Sequence, residues 1–172
     1  MQNDTVHIAA IRRGDDEDLS DTFAGLADDL QAKGVAVRGL VQQRRYNAAG
    51  ALSRRLTVIG SDRGFGISQA LGAGSRACSL DTAALADAAA WLQRFRAERP
   101  GLIIIDRFGP LEAKGRGFAD EILAIVTDGI PLLTSVRPAE SEAWEGFTGG
   151  LAEQLPSDPA AITAWCRAAT LE

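Results

Sequence analysis

Histidine occurs once, at His7, and cysteine twice, at Cys78 and Cys166, in a chain of 172 residues. One histidine and two widely separated cysteines lack the spacing of a zinc site, so no metal centre is expected. Long apolar runs are missing too. The longest, Leu102–Ile105 with its flanks, falls far short of the ~20 residues that span a bilayer, so no membrane insertion is expected. The opening Met1-Gln2-Asn3-Asp4 has no basic or apolar leader pattern, and a reducing, cytoplasmic setting is the expectation. Positive charge is in deficit: 18 Lys and Arg stand against 23 Asp and Glu, for a net charge of -5. That balance argues against a domain-wide nucleic-acid footprint.

What is present is an ordinary globular mixture, 46% apolar and 24% charged. It suits one domain spanning residues 1–172 with a core of its own. Val6–Ile11 reads as a buried strand. Leu19, Phe23, Leu26 and Leu30 then recur at helical spacing, and Lys33-Gly34 ends that helix. Val35–Gln43 and Leu56–Ile59 read as strands joined by a polar hairpin, and Gly60–Gly66 as turn-rich. A helix follows over about 81–96, then the strand Leu102–Ile105, a helix marked by Phe118, Ile122 and Ile125, and the strand Ile130–Thr134. Asp158-Pro159 opens a last helix with Ile162 and Trp165. Strands alternating with helices imply an α/β fold, a mostly parallel sheet covered on both faces. Ligands of such sheets sit beyond the carboxyl ends of the strands, which directs attention to three loops.

The first loop, Arg12–Ser20, occupies the place of a P-loop but lacks its GxxxxGK[ST] pattern. It has one glycine, no lysine, and the run Asp15-Asp16-Glu17-Asp18. Carboxylates there would repel a triphosphate, so standard ATP or GTP hydrolysis is not expected; the run reads instead as a solvated helix start suited to the helix dipole. The second loop offers Gly72, Gly74, Ser75 and Arg76, the amides, hydroxyl and planar cation of an anion nest. The third follows Ile105. Asp106 stands where a strand-end acid would hold a magnesium-bound water, Glu112 could orient a nucleophilic water, and Arg107, Lys114 and Arg116 could meet an anion. Arg44, Arg45, Arg54 and Arg55 form a cluster on the hairpin. It reads first as protective charge on a β-edge and second as a docking patch.

Motifs along nearly the whole chain carry a resemblance. They are Gly39-Leu40-Val41-Gln42, the run Ile67-Ser68-Gln69-Ala70-Leu71-Gly72-Ala73-Gly74-Ser75-Arg76-Ala77-Cys78-Ser79-Leu80-Asp81, Phe108-Gly109, Glu112–Phe118, Ile130–Thr134 and Trp165-Cys166. The chain resembles a bacterial family of uncharacterised, nucleoside-triphosphatase-like domains in the P-loop NTPase superfamily. Genes of that family often accompany molybdenum-uptake or nitrogenase genes. The resemblance implies a three-layer α/β/α, P-loop NTPase-like fold with a degenerate Walker A loop. Ile105–Glu112 also looks like the strand-end motif of a related thermophile nucleoside-triphosphatase family. Asp106, Gly109, Pro110 and Glu112 match it, and Arg107 replaces its second acid.

The leading expectation is a non-hydrolysing oxyanion-binding protein. Gly72, Gly74, Ser75, Arg76, Lys114 and Arg116 would surround the anion, with molybdate or tungstate implied by the resemblance. One alternative is a divergent nucleoside-triphosphatase using Asp106 for magnesium and Glu112 for water. Another is a regulatory module docking an acidic partner through the arginine cluster. Expected partners are a small anion, proteins of molybdenum metabolism and a second copy of the chain.

Overall fold

Side chains alternate along a strand, so each strand of a covered sheet must be apolar on both faces. This chain meets that demand at its centre. Ile103 and Ile105 join one buried cluster, and their neighbours Leu102 and Ile104 join the other. Ile8/Ala9, Leu40/Val41 and Leu132/Leu133 divide in the same way. The structure is a computed structural model describing residues 5–70 and 78–170, with side chains throughout except at 68–70 and 78–80.

The elements run β1 (Ile8–Arg12), α1 (Ser20–Ala32), β2 (Val37–Tyr46), β3 (Leu52–Val58), β4 (Gly64–Ala70), β5 (Cys78–Leu80), α2 (Thr82–Glu98) and β6 (Leu102–Ile105). They continue with α3 (Pro110–Ala113), α4 (Ala119–Thr127), β7 (Leu132–Val136), a 3-10 turn (Pro138–Glu140), α5 (Ser141–Thr148), β8 (Glu153–Leu155) and α6 (Pro159–Thr170). The described strands form one sheet in the order β5-β4-β3-β2-β6-β7-β1-β8. Strands β2, β6, β7, β1 and β8 are parallel. An antiparallel extension, β3-β4-β5, continues from β2. Helices α1 and α6 cover one face through Phe23, Leu26, Leu30, Ile162 and Trp165. Helices α2, α4 and α5 cover the other through Leu92, Phe95, Ile122, Ile125 and Trp144. This is a three-layer α/β/α fold whose central strands are parallel.

Capping follows the sequence at two helices. The Asp81 carboxylate accepts the Ala84 amide at the start of α2, and Asp158 accepts the Ala161 amide at the start of α6. The hairpin differs from expectation. Its polar segment is strand almost throughout, with β2 paired to β3 as far as Tyr46↔Leu52. The run expected as turn-rich, Gly60–Gly66, ends inside β4. Each hairpin strand carries two consecutive arginines, Arg44-Arg45 and Arg54-Arg55, which put charge on both faces and hide the strand period from a hydrophobicity reading.

One consequence of register positions the site. β2 is paired with β6 only through Leu40↔Ile105, yet it runs on to Tyr46. The β2–β3 ribbon therefore overhangs the end of β6 by six residues of β2, about 20 Å at ~3.3 Å per residue.

Candidate anion site at the carboxyl end of the sheet

Asp106 follows β6 directly, and its side chain is 2% exposed. Both of its oxygens are engaged by neighbouring strands. The Ser135 hydroxyl of β7 donates to Oδ1 at 2.6 Å, and the Gln42 amide of β2 donates to Oδ2 at 3.0 Å. Burial nevertheless raises the proton affinity of Asp106 above the usual carboxylate range. The bonds from Ser135 and Gln42, with the charges of Arg13 and Arg107, oppose that rise.

Glu112 lies one turn along, in α3, and is 8% exposed. Its Oε1 accepts the Gly109 amide at 3.2 Å. The Phe118 amide and Arg107 also favour its charged form, but burial outweighs them and pushes its pKa up. The carboxylate fits only because residue 117 is glycine. A Cβ at Gly117 would stand 2.0 Å from Glu112 Oε2, and its φ of +58 is one that glycine accepts freely.

Around these acids stand several guanidinium groups. Arg107 is 9% exposed, and its Nη1 is shielded from solvent with no hydrogen-bond partner among the described residues. Burial, helped by Arg54, Arg13 and Arg137 and opposed by Asp106, pushes its pKa down to about 10. Arg13, after β1, is 5% exposed. Its Nη1 donates to the Glu17 carbonyl at 2.8 Å, while Nε and Nη2 have no partner among the described residues. Arg137, after β7, is engaged through two nitrogens by Glu140.

Arg107, Arg54, Gln42, Asp106 and Glu112 share a cavity of about 270 Å³ with apolar side chains from β3, β4, α2 and the α3–α4 segment. Among the described residues no group of His, Cys, Asp and Glu could hold a metal ion.

The acidic first loop is not a simple solvated helix start. Glu17 accepts the Gly14 amide at 2.9 Å and the Ser157 hydroxyl. Asp18 accepts the Ser20 and Arg44 amides, and Asp16 pairs with the Arg44 guanidinium at 3.1 Å. The run closes the loop against the β2–β3 ribbon and the end of β8.

The residues singled out from sequence are distributed unevenly. Asp106 and Glu112 come together in the cavity. Lys114 and Arg116 are exposed on the α3–α4 turn, outside its lining. Gly72, Gly74, Ser75 and Arg76 lie outside the described residues. The four hairpin arginines split by strand alternation. Arg44 pairs with Arg54 across the ladder, and Arg54 lines the Asp106 cavity. Arg45 and Arg55 face a separate groove of about 370 Å³ beside α1. Gln42, Ser135, Arg13 and Arg137 were not foreseen. The signal for them was positional: Arg13, Ser135 and Arg137 lie at or just past the carboxyl end of a parallel strand, and Gln42 two residues past the last β2 residue paired with β6.

The fold is that of a P-loop NTPase-like α/β domain. The chain belongs to the family described as protein of unknown function DUF2478, whose sequence model matches residues 8–165. It is similar to a molybdenum import ATP-binding protein, ModC 2, of Bradyrhizobium diazoefficiens, with 36% identity over 165 residues. That match covers 95% of this chain but 18% of the relative, so the chain spans less than a fifth of that protein's length. The solution structure of a human cancer-related nucleoside triphosphatase superposes over 94% of both chains, with a TM-score of 0.65 and 12% identity. That likeness is one of fold. No helix among the described residues is long and apolar enough to cross a membrane.

Proposed function

We propose that this domain binds an oxyanion without hydrolysing it, at the carboxyl end of its sheet, and that molybdate or tungstate is bound there. One observation carries the reading. Arg107 lines the cavity as a buried guanidinium whose Nη1 has no partner among the described residues. A buried guanidinium nitrogen without an acceptor is costly, and an anion is a group that relieves it. The relative's name, a molybdenum import ATP-binding protein, supports molybdate as the inorganic candidate and a place in molybdenum metabolism.

The alternative, hydrolysis with Asp106 and Glu112, has the strand-end position of Asp106 in its favour. Against it, both Asp106 oxygens and one Glu112 oxygen are taken by internal donors. The first loop also lacks the lysine and paired glycines that would hold a triphosphate, which is what a degenerate Walker A loop means here.

Thermal unfolding with molybdate, tungstate, sulfate and chloride at matched ionic strength tests the reading. Molybdate or tungstate at 100 times its Kd adds about 2.7 kcal/mol of stability. The shift is lost in Arg107→Gln. Equal shifts for all four salts would overturn it. Phosphate release from ATP or GTP with magnesium, lost in Asp106→Asn, would replace it with the hydrolase reading.

A further inference from the structure

The 270 Å³ cavity is lined by residues of two unlike kinds. One kind is charged: Arg54, Arg107, Asp106 and Glu112. The other is hydrocarbon: Leu56, Ile67, Leu85, Leu111 and Phe118. Leu56, Ile67 and Phe118 are almost wholly buried, while Leu85 and Leu111 are half-buried and leave part of their surface to the cavity. Several separate elements converge to build this wall, so it is a product of tertiary packing.

A bare inorganic oxyanion gains nothing from such a wall. Its favourable contacts are all with the guanidinium end, and hydrocarbon next to it only removes water from the ion. A ligand with an apolar body gains at both ends. Its body displaces water from the leucines while its oxyanion meets Arg107. The volume lies just below the roughly 300–1,000 Å³ of ordinary organic-ligand pockets, which limits the body to about one ring.

Resting on the oxyanion reading above, we infer that this cavity also takes a small organic oxyanion, and holds it more tightly than molybdate or tungstate. It is a compact apolar or aromatic body bearing one phosphate or carboxylate, with the anionic head on Arg107 and Arg54 and the body against Leu85, Leu111 and Phe118.

Calorimetric titration of the whole chain with phenyl phosphate, benzoate, inorganic phosphate, molybdate and phenol, at matched pH and ionic strength, tests it. One or both aromatic anions bind at least about tenfold more tightly than inorganic phosphate and molybdate, the gain expected from burying a ring. The phenyl phosphate and benzoate arms tell a phosphate head from a carboxylate. Phenol gives no comparable heat. Leu85→Gln brings the ratio of phenyl phosphate to phosphate affinity toward one, and Leu111→Gln does the same if the first variant fails to fold. A ratio near one in the unaltered protein, with inorganic anions still bound, overturns this inference and leaves the oxyanion reading standing. Phenol binding as tightly as phenyl phosphate overturns it as well. Absence of binding by every anion overturns both.

Discussion

The two faces of the β2–β3 ribbon carry the same residue type and use it differently. On the inner face, Arg44 and Arg54 stand opposite one another in the ladder. Arg54 joins Arg107, Asp106 and Glu112 in one cavity, and Arg44 is engaged by Asp16. On the outer face, Arg45 and Arg55 look into a groove walled by Asp21 and Asp28 of α1, and neither makes an ion pair with another described residue. Arg55 lies flat over Gly64, where a Cβ would meet its guanidinium at 2.3 Å. The difference is one of context. An arginine beside buried acids at a strand end is part of a site, and an arginine one residue away is part of a surface.

Paired glycine substitutions break the comparison most forcefully. Gly117→Ala on the inner side forces a positive φ on alanine and drives Glu112 off the Gly109 amide, costing roughly 2–4 kcal/mol in denaturant unfolding. Gly64→Ala on the outer side has only the flexible end of Arg55 to move, and costs under about 1 kcal/mol by the same measurement. Next in size is the arginine pair. Arg54→Gln weakens anion binding about tenfold or more, worth ~1.4 kcal/mol, whereas Arg55→Gln keeps the affinity of the unaltered protein. Calorimetric Kd values decide between them, and equal losses would erase the distinction between the faces.

A pH profile sharpens the inner face further. Burial raises Asp106 and Glu112 above their unfolded values, which are about 3.9 and 4.3. Between those values and the raised ones, the folded chain holds more protons than the unfolded chain. Stability therefore falls as pH rises through that window, by up to about 1.4 kcal/mol per pH unit for each group. Asp106→Asn flattens the fall, and chemical denaturation at a series of pH values reads it. The smallest effect belongs to Arg44→Ala. The Asp16 side chain it pairs with is 95% exposed, so its loss costs below about 1 kcal/mol and shrinks in high salt.

The layers were legible because their signals are local and strong. The helical spacing of Phe23, Leu26 and Leu30 and the apolar run Leu102–Ile105 read directly as buried elements. The position of Asp106 was legible too, since a carboxylate after such a run must sit at the carboxyl end of a buried strand. Its partners were not. Ser135 and Gln42 reach it only through strand order and register, which pair β2 with β6 and β6 with β7 across long stretches of sequence. The split of the arginine cluster was hidden for a related reason. Four arginines in twelve residues look like one patch until strand pairing sends alternate ones to opposite faces. Lys114 and Arg116 were read from the mixed charge and glycines of the loop after β6, and the turn after α3 leaves them exposed, outside the Asp106 cavity.

The two bonds to Asp106 bear on how the sheet assembles. Its partners lie 64 residues before it and 29 residues after it. With only β2 and β6 docked, the Ser135 hydroxyl is missing; with only β6 and β7 docked, the Gln42 amide is missing. Either half-built sheet holds a carboxylate being withdrawn from water with part of its compensation absent, at a cost of several kcal/mol. A sheet with β7 or β2 in the wrong place fails to supply that compensation at all. The aspartate thus favours the strand order in which β2 and β7 both flank β6.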